Sequence, residues 1–271
     1  MDKLKINLYG DTFAHNIVNG KISSTLNKSP KYIEFVTDLT GSISLLVDQT
    51  ILNVEKIKTQ TPIYGWLLES KSIHPNLIQY FKTDTEKKIE KFEYVFTHNR
   101  ELLDLNKKFK FLHPIGYWID ENLGISKSKL ISMITSNKSH TENAKIRLNF
   151  AKKNLNKIDI FGKGFHPVYK KEIALLPYCF SIVVENDSTP DYFSEKLLDC
   201  FASKTIPIYL GSQRIKNYFD EKGILNFNQF KHEDISFQYY DSLSKHIENN
   251  YNEVKKYRIP EDTMFEKYLD I

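Results

Sequence analysis

The chain has 271 residues, of which 41% are hydrophobic and 27% charged, a composition typical of a globular protein with one large domain or two small ones. Its formal net charge of +4 is small and dispersed, so we expect no nucleic-acid partner. The sequence contains no apolar run of about 20 residues that would span a membrane, and its N-terminus lacks the apolar core of a signal peptide.

The first half of the chain alternates short apolar runs with amphipathic stretches. Strands are predicted at Lys5–Tyr9, Ser44–Val47, Pro62–Leu68 and Tyr94–Thr97, and helix-like spacing occurs at Ile51–Ile57 and Ile73–Phe81. Buried strands that alternate with helices indicate βαβ units and a parallel sheet. We therefore predict an α/β domain over residues 1–125, on the acceptor side of any active site.

A second α/β series follows a segment of little periodicity, His113–Lys127, which we interpret as a linker. Strands are predicted at Leu130–Thr135, Ile158–Phe161, Phe180–Val184, Ile206–Leu210 and Ile224–Phe227, and helices at Glu142–Lys153, Ser194–Ala202 and in the tail from Ser236. The pattern predicts two Rossmann-like domains with a ligand cleft between them. The second domain would cover residues 126–256, and residues 257–271 would form a helix that packs back on the first domain.

The most informative stretch, Phe180–Ser212, places polar residues after a buried strand and at the start of a helix. These residues are Glu185, Asn186, Tyr192, Ser194, Glu195 and Lys196. A helix N-terminus presents unpaired N–H groups and partial positive charge, which suits phosphate, and Lys196 adds a full charge there. Glu195 is well placed to accept hydrogen bonds from ribose or sugar hydroxyls. The same residues are equally compatible with a helix that Ser194 or Asp191 merely caps.

This stretch resembles the signature of the alpha-1,3-fucosyltransferases, glycosyltransferase family 10. The matching segments are Glu185-Asn186, Tyr192-Phe193-Ser194-Glu195-Lys196 and Pro207-Ile208-Tyr209-Leu210-Gly211. Ser194 stands where the family usually has threonine, which keeps the hydroxyl. The resemblance extends back to Ser136-Asn137 and Arg147, so it covers the C-terminal half. It implies the two-domain GT-B fold, GDP-fucose as donor and transfer with inversion.

The resemblance also implies which residues form the donor site. They are Asn137, Arg147, Gly162, Glu185, Asn186, Tyr192, Ser194, Glu195 and Lys196. Arg147 would bind the diphosphate, for which its fork geometry suits better than lysine. By itself, a helix arginine more often faces solvent. Gly162, in a Gly-Lys-Gly turn after a strand, is either the edge of the nucleotide pocket or simply a tight turn.

In the N-terminal half, the resemblance is confined to Glu69-Ser70 and Phe92-Glu93-Tyr94, and it implies that Glu69 is the catalytic base. Glu69 is also suited to complement a helix dipole. Asp11 is the alternative base, and Asp11, His15 and His98 are further acceptor-binding candidates.

Several motifs are absent from the sequence. It contains no Asp-X-Asp, Walker loop or HExxH, so we expect no metal cofactor and assign charge neutralisation to cationic side chains. The two cysteines, Cys179 and Cys200, lack metal-site spacing, which suits a reducing, cytoplasmic location. Two alternatives stay open: a glycosyltransferase that uses another GDP-sugar or a UDP-sugar, and a protein that binds a nucleotide sugar without catalysis.

Overall fold

The computed structural model describes residues 2–10, 17–18, 21–120 and 122–269. It divides into two compact units: unit 1 is Met1–Gly116 with Arg258–Ile271, and unit 2 is Tyr117–Tyr257. The predicted boundary after residue 125 lies later than the observed one, because Tyr117 and Ile119 are already buried in the core of unit 2. Asp11 and His15 lie outside the described residues.

Unit 1 contains a six-stranded parallel sheet. The described strands of unit 1 are β1 (Leu4–Tyr9), β2 (Ile17–Val18), β3 (Lys21–Ile22), β4 (Ile33–Val36), β5 (Ile43–Val47), β6 (Ile63–Leu67), β7 (Val95–Thr97) and β8 (Phe109–Phe111), and six of them form the sheet. The sheet order is β4-β1-β5-β6-β7-β8, while β2 and β3 form a separate antiparallel pair. Successive residues of β5 enter different apolar clusters, Leu45 on one face of the sheet and Leu46 on the other. Both faces are therefore covered, as a parallel sheet requires.

The helices of unit 1 cover that sheet. They are α1 (Pro75–Thr83), α2 (Thr85–Ile89), α3 (Arg100–Leu103) and a 3₁₀ helix, Asp48–Lys56. The sequence predicts ordinary helical spacing near residues 51–57; the structure has the tighter 3₁₀ form, which begins at Asp48 with a φ of +46°. Strands β4 and β8 were missed, because they occupy the two edges of the sheet and are only partly buried, so they lack the continuous apolar run by which the equally short β7 was predicted.

Unit 2 contains a five-stranded parallel sheet in the order β10-β9-β11-β12-β13. These strands are β9 (Lys129–Ile134), β10 (Asp159–Phe161), β11 (Tyr178–Val184), β12 (Ile206–Leu210) and β13 (Leu225–Asn226). The helices are α4 (Glu142–Lys153), α5 (Glu172–Leu175), α6 (Glu195–Ala202), α7 (Phe237–Ser242) and α8 (Ser244–Val254). The strand order reverses between β9 and β11. In open α/β sheets a ligand crevice forms at such a reversal, beyond the carboxyl ends of the strands.

Helix α6 follows the central strand of unit 2 and is held by its apolar face. Leu197, Leu198 and Phe201 are buried in the cluster on one side of the sheet. Ser194 caps the helix, since its hydroxyl accepts a hydrogen bond from the Lys196 amide at 3.3 Å. The packing fixes the helix start next to the carboxyl end of β11.

The described C-terminal residues belong to unit 1. Helix α9 (Pro260–Met264) and a π-helical turn, Phe265–Leu269, pack Met264 and Leu269 into its core. The buried Glu261 carboxylate accepts hydrogen bonds from the Ser24 amide and hydroxyl at 2.6 and 2.8 Å. Across the described part of the chain, no helix has the length and apolarity needed to span a membrane.

Candidate functional site

A cavity of about 240 Å³ lies at the strand-order reversal of unit 2. Residues from five elements line it: Thr135 and Ser136 after β9, Arg147 of α4, Lys171 at the start of α5, the end of β11, and Glu195, Lys196 and Asp199 of α6. Three cationic side chains therefore meet at the start of a helix. Such a site suits an anionic ligand.

The start of α6 is fixed by a buried carboxylate. Glu185, fully buried at the end of β11, accepts hydrogen bonds from the Ser194 amide at 2.9 Å and from its hydroxyl at 2.6 Å. Lys196 Nζ lies 3.0 Å from the Ser194 hydroxyl and 3.6 Å from the Glu185 carboxylate. Glu185 was assigned to the donor site from the sequence, but it is absent from the cavity lining and instead holds the loop that presents Lys196.

Arg147 lies at the wall of the cavity and is almost fully buried. Its Nη1 donates to the Val184 carbonyl at 2.9 Å and to Asn186 Oδ1 at 3.3 Å. Its buried Nε makes no hydrogen bond to any described protein atom. Burial lowers the pKa of Arg147, while the nearby Glu185 and Glu195 oppose that effect. A guanidinium has five N–H donors, so an arginine held through Nη1 keeps others for a ligand oxygen.

The Glu195 carboxylate lies between two lysines, which also lower its pKa. Lys171 Nζ lies 3.3 Å from its carboxylate and Lys196 Nζ lies 3.7 Å away. Burial alone would raise the pKa of Glu195, but Lys196 and Lys171 overcome it and lower the pKa to about 2. Glu195 is therefore an ionised acceptor at neutral pH, suited to hydroxyl donors.

The remaining predicted residues of unit 2 lie around this cavity without lining it. Tyr192 is buried in the loop before α6, and Asn186 is half-buried beside Arg147. Asn137 lines a second cavity, together with Gly164. Gly162 has a φ of +115°, and a Cβ there would lie 1.9 Å from the Thr135 carbonyl. Gly162 therefore makes a tight turn that only glycine can adopt.

In unit 1, Glu69 follows β6 and is half-buried. Its amide donates to Asp48 Oδ1 at 3.2 Å, and the Leu68 amide donates to the same oxygen at 2.8 Å. Burial raises the pKa of Asp48 to about 7. His98, the other described candidate for acceptor binding, is buried. Within the described ranges, no group of three histidines, cysteines or acidic residues is arranged to hold a metal ion.

Sequence reasoning missed Lys171 and Asp199. Lys171 Nζ lies 2.7 Å from Asp199 and 3.3 Å from Glu195, between two carboxylates of α6. The spacing of Glu195 and Asp199, four residues apart on one helix, indicates that they share a face. Lys171 gives no such signal, because it stands in a lysine-rich segment with no periodic pattern.

The fold is that of GT-B glycosyltransferases. A model of the family described as "Glycosyltransferase family 10 (fucosyltransferase) C-term" matches residues 125–266, slightly more than half of the chain. The chain belongs to glycosyltransferase family 10, as its motifs predicted.

Two curated relatives match shorter parts of the chain. Alpha-(1,3)-fucosyltransferase FucT of Helicobacter pylori is 35% identical over 83 residues, 31% of this chain and 17% of that protein. Alpha-(1,3)-fucosyltransferase B of Drosophila melanogaster is 33% identical over 93 residues, 32% of this chain and 21% of that protein. The matched region therefore spans about a fifth of these relatives or less.

Solved structures support the fold over nearly the whole chain. A crystal structure of alpha1,3-fucosyltransferase covers 99% of this chain, and this chain covers 90% of it, with a TM-score of 0.52 and 18% identity. A second crystal structure, with GDP, covers 99% of this chain and is itself covered to 88%, with a TM-score of 0.51 and 16% identity. The predicted α/β fold with two parallel sheets is confirmed.

Proposed function

We propose that this protein transfers a sugar, fucose from GDP-fucose, to a hydroxyl of a glycan acceptor with inversion at the anomeric carbon. The observation that carries the proposal is the cavity of unit 2, where Arg147, Lys196 and the start of α6 converge. Membership of family 10 supports the reaction class. The match to Alpha-(1,3)-fucosyltransferase FucT supports fucose as the transferred sugar.

In this proposal, the cationic groups stabilise the departing diphosphate. Arg147 offers its unpartnered Nε, Lys196 a mobile charge, and the helix start its amides. Groups that are already oriented need no rearrangement as negative charge develops, so each contributes to the rate. Because these cations carry the neutralisation, the proposed reaction requires no metal ion.

The ionised Glu195 would accept hydrogen bonds from donor hydroxyls, and Asn186 and Tyr192 would keep Arg147 and the α6 loop in place. Asn137 and Gly162 would form the edge of the nucleotide pocket, where the Asn137 amide donates to the carbonyl of Lys163, next to Gly162, at 3.1 Å. Glu69 would remove the proton of the acceptor hydroxyl, because inversion requires a base on the face opposite the leaving nucleotide. Asp11 is the alternative base.

The test begins with thermal shifts in the presence of GDP, UDP and ADP. We expect GDP to raise the melting temperature most, since a ligand at 100 times its Kd adds about 2.7 kcal/mol of stability. Donor hydrolysis and transfer from GDP-fucose are then measured over hours. A larger shift with UDP would reassign the donor, and donor binding without turnover would leave a nucleotide-sugar-binding protein.

A further inference from the structure

We propose that Lys171 is a positioning residue that holds the Glu195 carboxylate in the donor cavity. The inference rests on the proposed function, which it deepens by adding a residue outside the sequence motif. Lys171 stands at the start of α5, whereas Glu195 stands at the start of α6. The contact therefore joins two segments that the sequence keeps apart.

The ammonium group of Lys171 is fully engaged by the protein. Its Nζ lies 2.7 Å from Asp199 Oδ2 and 3.3 Å from Glu195 Oε1, and 4.1 Å from the centroid of the Trp118 ring. An ammonium has three N–H donors, so two carboxylates and an aromatic face occupy its bonding capacity. Lys171 therefore acts on a ligand through Glu195.

Asp199 anchors this arrangement to the backbone. It is fully buried, and its other oxygen accepts hydrogen bonds from the Trp118 and Ile119 amides at 2.5 and 3.3 Å. The Trp118 ring, against which Lys171 lies, thus belongs to a segment that Asp199 fixes. Glu195 is held less firmly: among the described residues its carboxylate contacts its own backbone and the two lysines, of which Lys196 lies 3.7 Å away.

The electrostatic consequence differs from that of an ordinary structural lysine. Burial acts to lower the pKa of Lys171, but Asp199 and Glu195 outweigh it and the pKa is raised. Lys171 stays charged, and with Lys196 it keeps Glu195 ionised. Without Lys171, only Lys196 and the local backbone oppose burial, so the pKa of Glu195 should rise, and a carboxyl that takes up a proton loses acceptor capacity toward sugar or ribose hydroxyls.

The first experiment reads the ionisation of Glu195 directly and needs no enzymatic activity. Carboxyl signals of ¹³C-labelled glutamate are followed by NMR from pH 8 to pH 4, with Glu195→Gln used to assign the resonance. We expect Glu195 to stay ionised over this range in the wild type and in Lys171→Arg, and to titrate in Lys171→Met. Lys170→Met, a change at the exposed neighbour, is the matched control and should behave as wild type.

The second experiment is a double-mutant cycle on donor turnover. We expect Lys171→Met to lower kcat/KM by about 10- to 100-fold, with its acid limb moved to higher pH, because a displaced contact group loses orientation. Lys171→Arg should recover most of the activity. In the Glu195→Gln background, Lys171→Met should have less than about a threefold further effect, because both changes remove one interaction.

Additive losses in the cycle, or an unchanged Glu195 titration in a folded Lys171→Met protein, would overturn the inference. If Lys171→Met does not fold, Lys171→Gln and Trp118→Phe test the same contact in milder form, and a normal Glu195 titration in both would count against it. Failure of the proposed function is separate: a wild type that neither binds nor turns over a nucleotide sugar refutes the function, while the NMR titration still decides the role of Lys171.

Discussion

Glu185 holds Ser194 through two hydrogen bonds, accepting from its amide at 2.9 Å and from its hydroxyl at 2.6 Å. The pair joins the end of β11 to the start of α6, the two elements between which the family motif runs. A glutamate that the motif assigned to ligand binding therefore shapes the loop, and Lys196 next to it lines the cavity.

Ser194→Ala should destabilise the protein through this pair. The change removes the helix cap and leaves one oxygen of a fully buried carboxylate without its hydroxyl partner, so we expect the free energy of unfolding to fall by about 2 to 3 kcal/mol. Urea titration measures this loss in the free energy of unfolding. The control is Ser236→Ala at the exposed cap of α7, which should cost about 1 kcal/mol. Equal losses in both would show that the bond to Glu185 adds nothing.

Lys196→Ala should reduce catalysis more than stability. Removing a charge that faces the developing diphosphate should lower kcat/KM by about 10²-fold or more. The melting temperature should fall modestly, because Glu185 loses a counter-ion at 3.6 Å. Steady-state kinetics and calorimetry check both, with the exposed Lys222→Ala as control. A fully active Lys196→Ala would remove this residue from the proposed mechanism, and an unfolded one would make it structural.

Glu69→Gln should abolish transfer while leaving donor binding intact. Glutamine keeps the size and hydrogen bonding of the side chain but has no basicity, so we expect transfer to fall about 10²- to 10⁴-fold. GDP affinity, measured by calorimetry, should barely change, because the described residues that line the donor cavity all belong to unit 2. Normal transfer by Glu69→Gln together with loss in Asp11→Asn would move the base to Asp11.

Asp48→Asn should stabilise the protein more at alkaline pH than at acid pH. Burial raises the pKa of Asp48 from 3.8 to about 7, so the unfolded chain ionises first as the pH rises from about 4. The folded state therefore loses stability between about pH 4 and pH 7, by up to about 4 kcal/mol. The asparagine variant lacks this penalty, and its amide oxygen still accepts from the Leu68 and Glu69 amides.

Melting temperatures at pH 5 and pH 8.5 test this prediction. We expect the variant to be more stable than the wild type by about 1 to 2 kcal/mol at pH 5 and by up to about 4 kcal/mol at pH 8.5. Asp38→Asn is the matched control, since Asp38 is exposed and its hydrogen bonds with Thr40 lower its pKa. A stability difference that does not grow with pH would show that Asp48 is ionised in the folded protein at pH 5.

Activity should survive excess EDTA. The proposed leaving-group stabilisation uses Arg147, Lys196 and the start of α6, so chelation removes nothing on which it depends. Initial rates with and without EDTA measure this, and a Mn²⁺- or Mg²⁺-restored loss would show that a cation carries part of the charge.

The sequence by itself determined the family, the parallel α/β sheets and the segment that starts α6. These features depend on local order: apolar runs such as β11 predict buried strands, and the Tyr192–Lys196 motif is contiguous. The two edge strands were missed, because they are only partly buried and each contains a charged residue, so neither gives a continuous apolar run.

Only the tertiary structure decided which of the motif's residues face the cavity and what holds them. Periodicity cannot show that Glu185 is fully buried, or that Lys171 reaches Glu195 across 24 residues of sequence. Nor does it show that Asp48, whose φ is positive, accepts hydrogen bonds from the backbone amides that follow β6. The physical reason is that burial and charge pairing depend on segments that are distant in the chain. These segments come into contact only when the strands have assembled into the sheet.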